Sequence, residues 1–181
     1  GLGWAQVHRP AVMKGAADMA RVGAVERSFG LLAVALGLAR IAGAMAAGNL
    51  TAWEELASIV LDAALAIGDG PGQGHGLEHL GKSRKQQLGR LEKARATQCA
   101  ALKHREQIGD VRGTVCSINA VGLAHWAMGD LTWAGAIFEQ AIKKADASGD
   151  RDFAALARQN LAGVLLEEPD VTQETFAAAM D

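Results

Sequence analysis

The chain has 181 residues, of which 50% are hydrophobic, 4% aromatic and 21% charged, and its formal net charge is −2 at pH 7. This apolar content is enough for a packed core and excludes a disordered chain, while the near-neutral charge gives no reason to expect binding to nucleic acid or to an anionic membrane. The absence of Tyr and the 22 glycines favour closely packed helices over a β-sandwich or barrel, so we expect an all-α fold.

Helical periodicity of the apolar residues predicts a chain of short helices. In chain order, they are expected at about residues 10–22, 25–47, 50–67, 74–88, 91–108, 112–128, 131–148, 151–167 and 171–180. The glycine-rich stretch from Gly68 to Gly74 is expected to be a long turn. The most apolar stretch, residues 29–39, is too short to cross a membrane, and two cysteines without CxxC spacing predict a reducing compartment, so we expect a cytoplasmic protein.

Two glycine markers recur along the chain with one period. A Gly-Asp pair occurs at positions 68–69, 109–110 and 149–150, so its spacing is constant to within one position. A second marker, out of phase with the first and with the same spacing, occurs at Gly48, Gly89 and Gly129. Glycine next to a polar residue is typical of a helix end, so each period is predicted to be a helix–turn–helix pair.

The clearest period alternates large and small packing residues. These are Val121, Gly122, His125, the turn Gly129-Asp130, Ala134, Phe138 and Ala141. In this the chain resembles the tetratricopeptide repeat family, in the lengthened form of about 40 residues that occurs in bacterial multidomain regulators. The match is specific over residues 72–166 and is extended by phase elsewhere.

The resemblance implies a right-handed superhelical solenoid that binds a protein or peptide and needs no cofactor. We expect one array over residues 1–181, with units 25–69, 70–110, 111–150 and 151–181 and a partial repeat at 10–22. The array is predicted to be a piece of a larger regulatory or signalling protein. An alternative is a structural element that self-associates through its terminal repeats, because these lack polar caps.

Residues 76–83, GLEHLGKS, match the phosphate-binding pattern GxxxxGK[ST]. In such a loop Lys82 would contact phosphate and Ser83 magnesium, after a buried strand. Here Gly70-Pro71-Gly72 precede the pattern, and the repeat phase makes Gly81 the counterpart of Gly122 inside a helix. A nucleotide-binding protein is therefore the second hypothesis, and a small packing glycine is the preferred interpretation of Gly81.

Residues 75–79, HGLEH, match the HxxEH pattern of zinc proteases. A catalytic zinc site needs a third protein ligand, and no His or acidic cluster follows in the sequence. The repeat phase instead places Glu78 at the position of Asn119 and Asn160, on a surface. We expect neither a metal site nor catalysis.

By the resemblance, the first helix of each pair lines a concave groove, where Asn side chains hold a peptide backbone. Asn119 and Asn160 are one period apart and are predicted to be equivalent positions in this groove, and the simpler alternative is that they bond only within the protein. Lys82, Lys85, Trp126 and Glu78 are expected to border them.

The remaining charged and aromatic residues have plainer interpretations. A local basic run is expected to be a solvated face, with a docking patch as the alternative; it consists of Lys82, Arg84, Lys85, Arg90, Lys93 and Arg95. His104 and Arg105 are also expected to be solvated. Trp53, Trp126 and Trp133 are expected to fill gaps in the core, although an exposed one could contact a partner.

Overall fold

A computed structural model describes residues 11, 14–19, 21–23, 50–87 and 89–167 of the chain. All regular structure within these ranges is α-helical, which confirms the predicted all-α class. The long helices are α1 (Leu50–Ile67), α2 (Gly70–Lys85), α3 (Leu91–Gln107), α4 (Val111–Ala127), α5 (Leu131–Ser148) and α6 (Arg151–Glu167), and residues 14–19 and 21–23 are also helical. Over the same residues, no helix combines the length and hydropathy that a transmembrane span requires.

The helix bounds follow the predicted ones closely, with one exception. The helices α1, α3, α4, α5 and α6 agree with the sequence-based bounds to within one position. The helices predicted at 25–47 and 171–180 lie outside the described residues, and the one at 10–22 is described only in part. The exception is α2, which begins at Gly70 and not at residue 74.

A left-handed glycine lies in every turn between the described helices. Left-handed backbone angles, with φ between 70° and 79°, occur at Gly68, Gly89, Gly109, Gly129 and Gly149. Glycine adopts these angles without the steric cost that a Cβ brings, so the markers are confirmed as turns at these five positions, while the predicted turn at Gly48 lies outside the described residues.

An aspartate starts the helix after each Gly-Asp turn. The carboxylate of Asp69 accepts a hydrogen bond from Gly72 N at 3.1 Å, and that of Asp110 accepts one from Gly113 N at 2.8 Å. Asp150 accepts in the same way from Phe153 N at 3.3 Å. Each side chain satisfies an N–H group that has no partner within the first helical turn.

These caps explain why the expected long turn at Gly68–Gly74 is wrong. Asp69 caps α2, and Pro71 occupies the first turn, where its missing N–H costs nothing. The helix then continues through Gly72, Gly74 and Gly76, all of which are buried. Packing overrides the low helix propensity of these glycines, which in local sequence look like a turn.

The chain divides into two compact units, Gly1–Ile108 and Gly109–Asp181. In the first, α2 packs against both α1 and α3. A Cβ added at Gly76 would lie 2.9 Å from Leu61 Cα, so this glycine permits close approach of α1. Apolar side chains dominate the buried part of α1, whereas α2 and α3 also bury the polar residues His79, Ser83, Thr97, Gln98 and Arg105.

The second unit buries mainly apolar side chains, and its buried polar residues Thr114, Ser117 and Asn119 are uncharged. Helix α5 packs against α4 and α6, and α4 also touches α6. A cluster of Ala134, Phe138, Leu161 and Val164 lies between them, and a second cluster contains Val115, Ala145 and Ala154. A Cβ at Gly122 would lie 2.7 Å from the Phe138 ring, which confirms Gly122 as a close-packing residue.

Candidate functional site

The two asparagines predicted to hold a partner contact each other. Asn160 Nδ2 donates to Asn119 Oδ1 at 2.8 Å, and this bond joins α6 to α4. Asn119 is buried, with 7% of its surface exposed, and Asn160 is half-buried. The two asparagines therefore bond to each other within the protein, and the prediction that Asn119 lies on an open surface is wrong.

The predicted equivalence of the two asparagines is also wrong, by one position. The helices α4 and α6 begin at Val111 and Arg151, which makes Asn119 the ninth residue of its helix and Asn160 the tenth of its own. Asn160 thus lies one position further along, a rotation of about 100° around the helix axis. This offset turns the two amides toward each other instead of placing them side by side.

Glu78 lies at the centre of an ion cluster between α2 and α3. Its carboxylate accepts hydrogen bonds from Lys82 Nζ, one turn along the same helix, and from Arg105 Nη2 at 2.6 Å. Arg105 is only 2% exposed, so the expectation that it is solvated is wrong. Glu78 is mostly buried rather than a surface residue of a groove. We call Glu78, Lys82 and Arg105 the Glu78 cluster.

The cations of the Glu78 cluster keep its carboxylate ionised. Burial of Glu78 would raise its pKa, because the charged form loses water, but the charges and hydrogen bonds of Lys82 and Arg105 outweigh this and lower the pKa to about 2. Arg105 in turn needs the carboxylate, since a buried guanidinium without an anionic partner is costly. The cluster is therefore a structural element of the first unit.

Lys85 and Trp126, the other residues predicted to border a groove, are half-buried against neighbouring residues. Burial, with a smaller contribution from the nearby Lys82 charge, lowers the pKa of Lys85. The ring of Trp126 packs edge-on against Phe138 with centroids 6.3 Å apart, and it fills the space over Gly163. Trp126 thus fills a core gap, as expected for most tryptophans at such turns.

The segment that matches the phosphate-binding pattern lies wholly inside α2. Its N–H groups therefore bond along the helix, whereas a phosphate loop turns successive N–H groups toward one ligand. Ser83 is fully buried, and its hydroxyl donates to Leu80 O at 2.9 Å. A Cβ at Gly81 would lie 2.3 Å from Gln98 Nε2, so this glycine serves packing.

The HxxEH pattern places its two histidines in different surroundings. His75 is less buried than His79, and the intervening Glu78 is bound by Lys82 and Arg105. In the part of the chain that the structure describes, no group of three or more His, Cys, Asp or Glu side chains is arranged to hold a metal ion.

The structure also reveals a polar cluster that the sequence did not predict. Glu54 of α1 accepts hydrogen bonds from Arg84 Nε at 2.9 Å and Gln87 Nε2 at 3.0 Å, and from both terminal nitrogens of Arg90. We call Glu54, Arg84, Gln87 and Arg90 the Glu54 cluster. Two members of the expected solvated basic run are thus bound to one carboxylate, and that prediction is wrong for them.

No local signal marks the Glu54 cluster. Arg84 follows Glu54 by 30 residues and Arg90 by 36. Burial of Glu54 would raise its pKa, but the hydrogen bonds from Arg84, Gln87 and Arg90 hold it below its ordinary value. Four donors on one ionised carboxylate form a complete anion-binding shell.

One tryptophan of the second unit is on the surface. Trp133, on the first turn of α5, is 64% exposed, and its ring lies 6.4 Å from the ring of His125. His125 Nδ1 lies 3.0 Å from Asp130 Oδ2, which fixes the imidazole at the end of α4. The expectation that Trp133 fills a gap in the core is therefore wrong, and its contact with a partner stays a prediction.

Comparison with known proteins adds little to this geometry. No protein-family model matches the chain, and no curated protein matches it. Among 19 solved chains that match, one titled "DHF58 filament" is 15% identical, covers 98% of this chain and 92% of its own, and has a TM-score of 0.35. This TM-score is too low for the likeness to bear on fold or function.

Proposed function

We propose that the chain is a module that binds a protein or peptide on the surface of the first helices of its second unit, α4 and α6, each of which follows a Gly-Asp turn. The contact between α4 and α6 through Asn119 and Asn160 is the observation that carries the proposal. It joins first helices of successive pairs, which is how helical repeats build a continuous binding surface.

The recurring turns support a repeat architecture for the whole chain. The same left-handed glycine and capping aspartate recur once per period, and helix pairs of one type follow each other. We extend this to a right-handed superhelical solenoid of the lengthened tetratricopeptide type. The module would then serve as a scaffold in a larger bacterial regulatory or signalling protein.

The asparagine pair has the chemistry for holding an extended segment. Their mutual bond uses the carbonyl of Asn119 and the amide nitrogen of Asn160, so an Asn119 donor and an Asn160 acceptor remain as further hydrogen-bonding groups. A peptide backbone offers one acceptor and one donor per residue. Replacing both asparagines by Ala is expected to weaken partner binding by about 1–3 kcal/mol.

Photo-crosslinking from matched positions tests which surface binds. Gln159 on the first helix α6 and Gln140 on the second helix α5 are both exposed. A benzophenone amino acid at position 159 should capture a partner that the same group at 140 does not, and the asparagine double variant should reduce that capture.

Other crosslinking results would contradict the proposal. Capture from position 140 but not from 159 would place the site on the second helices. A crosslink between two copies of the chain, with light scattering that rises with concentration, would select self-association instead.

A further inference from the structure

The Glu54 cluster has the form of a carboxylate-binding site with its ligand in place. Arg90 directs Nη1 and Nη2 at separate oxygens of the Glu54 carboxylate. Arg84 Nε adds a second donor to Oε1, and Gln87 Nε2 adds a second donor to Oε2. A planar guanidinium that bonds both oxygens is the arrangement by which arginine recognises carboxylates.

All four donors come from one short segment, residues 84–90, while the carboxylate comes from a different helix. Backbone bonds from Gln87 N to Arg84 O and from Arg90 N to Gln87 O fold this segment. Arg90 Nη1 also donates to Gln87 Oε1 at 2.8 Å. None of these bonds involves Glu54, so the donors are held in position by their own segment.

A contact to α3 holds the remaining arginine. Arg84 Nη1 donates to Thr97 Oγ1 at 2.7 Å, and the Thr97 hydroxyl donates to Lys93 O at 2.7 Å. These two bonds orient the guanidinium of Arg84 without using Glu54. Such preorganisation is what separates a binding site from a chance ion pair.

The helix turn itself does not require this arrangement. The turn between α4 and α5 also contains a left-handed glycine, with φ 79° at Gly129 against 75° at Gly89, but it is shorter, because α4 ends at Ala127 and α2 already ends at Lys85. There the counterparts of Arg84 and Arg90 are His125 and Asp130, which bond to each other within the pair. A pair of arginines aimed at a carboxylate from α1 is thus an addition to the turn.

The charge and the exposure of the Glu54 cluster would allow another carboxylate to replace Glu54. One carboxylate faces two guanidinium groups, so the cluster carries a net positive charge. The side chains of Arg84 and Arg90 are 25% and 32% exposed, so the donors of the cluster reach solvent, while the Glu54 side chain is 13% exposed. Rotation of the Glu54 side chain would free the donors without unfolding a helix.

We propose that Arg84, Gln87 and Arg90 form a binding site for a carboxylate of another molecule, and that Glu54 occupies this site and keeps it closed. The site is distinct from the first-helix surface proposed above and does not depend on it. Because an internal ligand lowers the fraction of open sites, removing Glu54 should tighten carboxylate binding by about tenfold or more if the open form is about 10% populated or less.

Glu54→Ala tests this directly, with Glu55→Ala as the control because Glu55 is an exposed carboxylate at the adjacent position. The probe is sodium propionate, followed through the NMR signals of the Arg84 and Arg90 side-chain N–H groups. E54A should show saturable shifts and a rise in Tm that sodium chloride at the same concentration does not produce. Wild type and E55A should show neither, and E54A/R90A should lose both.

Two further arms identify the source of the carboxylate and guard against misfolding. A capped Gly-Glu-Gly peptide that binds E54A more tightly than propionate, with capped Gly-Gln-Gly inactive, would indicate an acidic protein partner; the reverse order would indicate a small organic acid. Glu54→Gln keeps the side-chain volume and should bind propionate with intermediate affinity. Equal responses to propionate and chloride in both E54A and E54Q would overturn the proposal.

Discussion

The helix pairs α2–α3 and α4–α5 both start after a Gly-Asp turn and both have a left-handed glycine between their helices, but their interiors differ. In α4–α5, Gly122 lies under the fully buried ring of Phe138. In α2–α3, the counterparts are Gly81 and Gln98, and Gln98 Nε2 donates to Glu78 O at 3.1 Å. An amide thus replaces an aromatic ring over the same glycine.

At a second pair of positions, the two helix pairs differ in the size and the charge of the packed residues. Val115 and Ala145 pack together in α4–α5. Their counterparts in α2–α3 are Gly74 and Arg105, and a Cβ at Gly74 would lie 2.9 Å from Arg105 Nε. The glycine makes room for the arginine, and Glu78, at the position of Asn119, neutralises it. The ends of a helix pair therefore define its fold, while its interior can be polar if every charge is paired.

The largest expected effect comes from breaking this paired charge. Arg105→Ala should destabilise the protein by about 3–5 kcal/mol, because Glu78 loses a buried partner and a cavity remains beside Gly74. Urea denaturation followed by circular dichroism measures the change. A loss below about 1 kcal/mol would show that the buried pair contributes little.

Replacing the buried ion pair of α2–α3 by the uncharged residues of α4–α5 sharpens the same comparison. The triple variant Gly74→Val, Glu78→Asn and Arg105→Ala carries the residues of α4–α5 at these positions. It should be more stable than Arg105→Ala, because it removes the buried carboxylate that the single variant leaves without its arginine, and it fills the space. A triple variant less stable than the single one would mean that the two pairs differ in backbone geometry.

The polar interior should also make the first unit sensitive to acid. Glu78 has a pKa of about 2 in the folded protein, below its unfolded value, so the unfolded chain binds more protons between these values. Its contribution, on the order of 3 kcal/mol, is complete above about pH 5 and is lost as the pH falls toward 2. Stability measured against pH should show a weaker decline for Glu78→Gln than for wild type. Glu92→Gln, at an exposed position, should retain the wild-type slope.

Replacing Gly122 and Gly81 by alanine compares a glycine packed under an aromatic ring with one packed under a flexible amide. Gly122→Ala should cost about 1–3 kcal/mol, because its Cβ meets the Phe138 ring, and Gly122→Leu should cost more. At Gly81, Gln98 can rotate away, and the loss of its hydrogen bond is offset by a gain in helix propensity of about 1 kcal/mol. Gly81→Ala should therefore change the Tm little. Equal losses at both positions would contradict the proposed difference between the interiors.

Among the destabilising changes, the smallest effects are expected at the shared helix caps. Asp69→Ala and Asp110→Ala should each cost about 1 kcal/mol, since each removes one bond to the first turn. Hydrogen exchange should place the loss at the start of α2 in the first variant and of α4 in the second. Exchange that changes throughout a unit would show that the cap acts beyond its own helix.

The turns were predictable from the sequence because their chemistry is local. A left-handed residue requires glycine, and the following aspartate bonds an N–H group within the next helical turn, so both signals lie within a few positions. The bounds of α4, α5 and α6 follow from them. The start of α2 was not predicted, because the sequence alone does not distinguish a glycine that permits close packing from a glycine that ends a helix.

The polar clusters were not predictable from local signals because their partners are distant in sequence. Glu78 and Arg105 are 27 residues apart, and no motif joins them. One signal was present, however: a glycine at the position of Val115 faces an arginine at the position of Ala145. Comparing the periods position by position, with large and small residues exchanged, would have indicated that Arg105 is buried.

The uniform junctions have a consequence for how such a chain diversifies. Since every described helix pair is bounded by a left-handed glycine and a capping aspartate or polar residue, a duplicated segment cut at these junctions carries its own ends with it. The interior residues of the copies could then diverge gradually, as Gly74 and Arg105 differ from Val115 and Ala145, while the turns between the copies stay unchanged. Exchanging residues 68–109 with residues 109–149 would reproduce such a replacement experimentally.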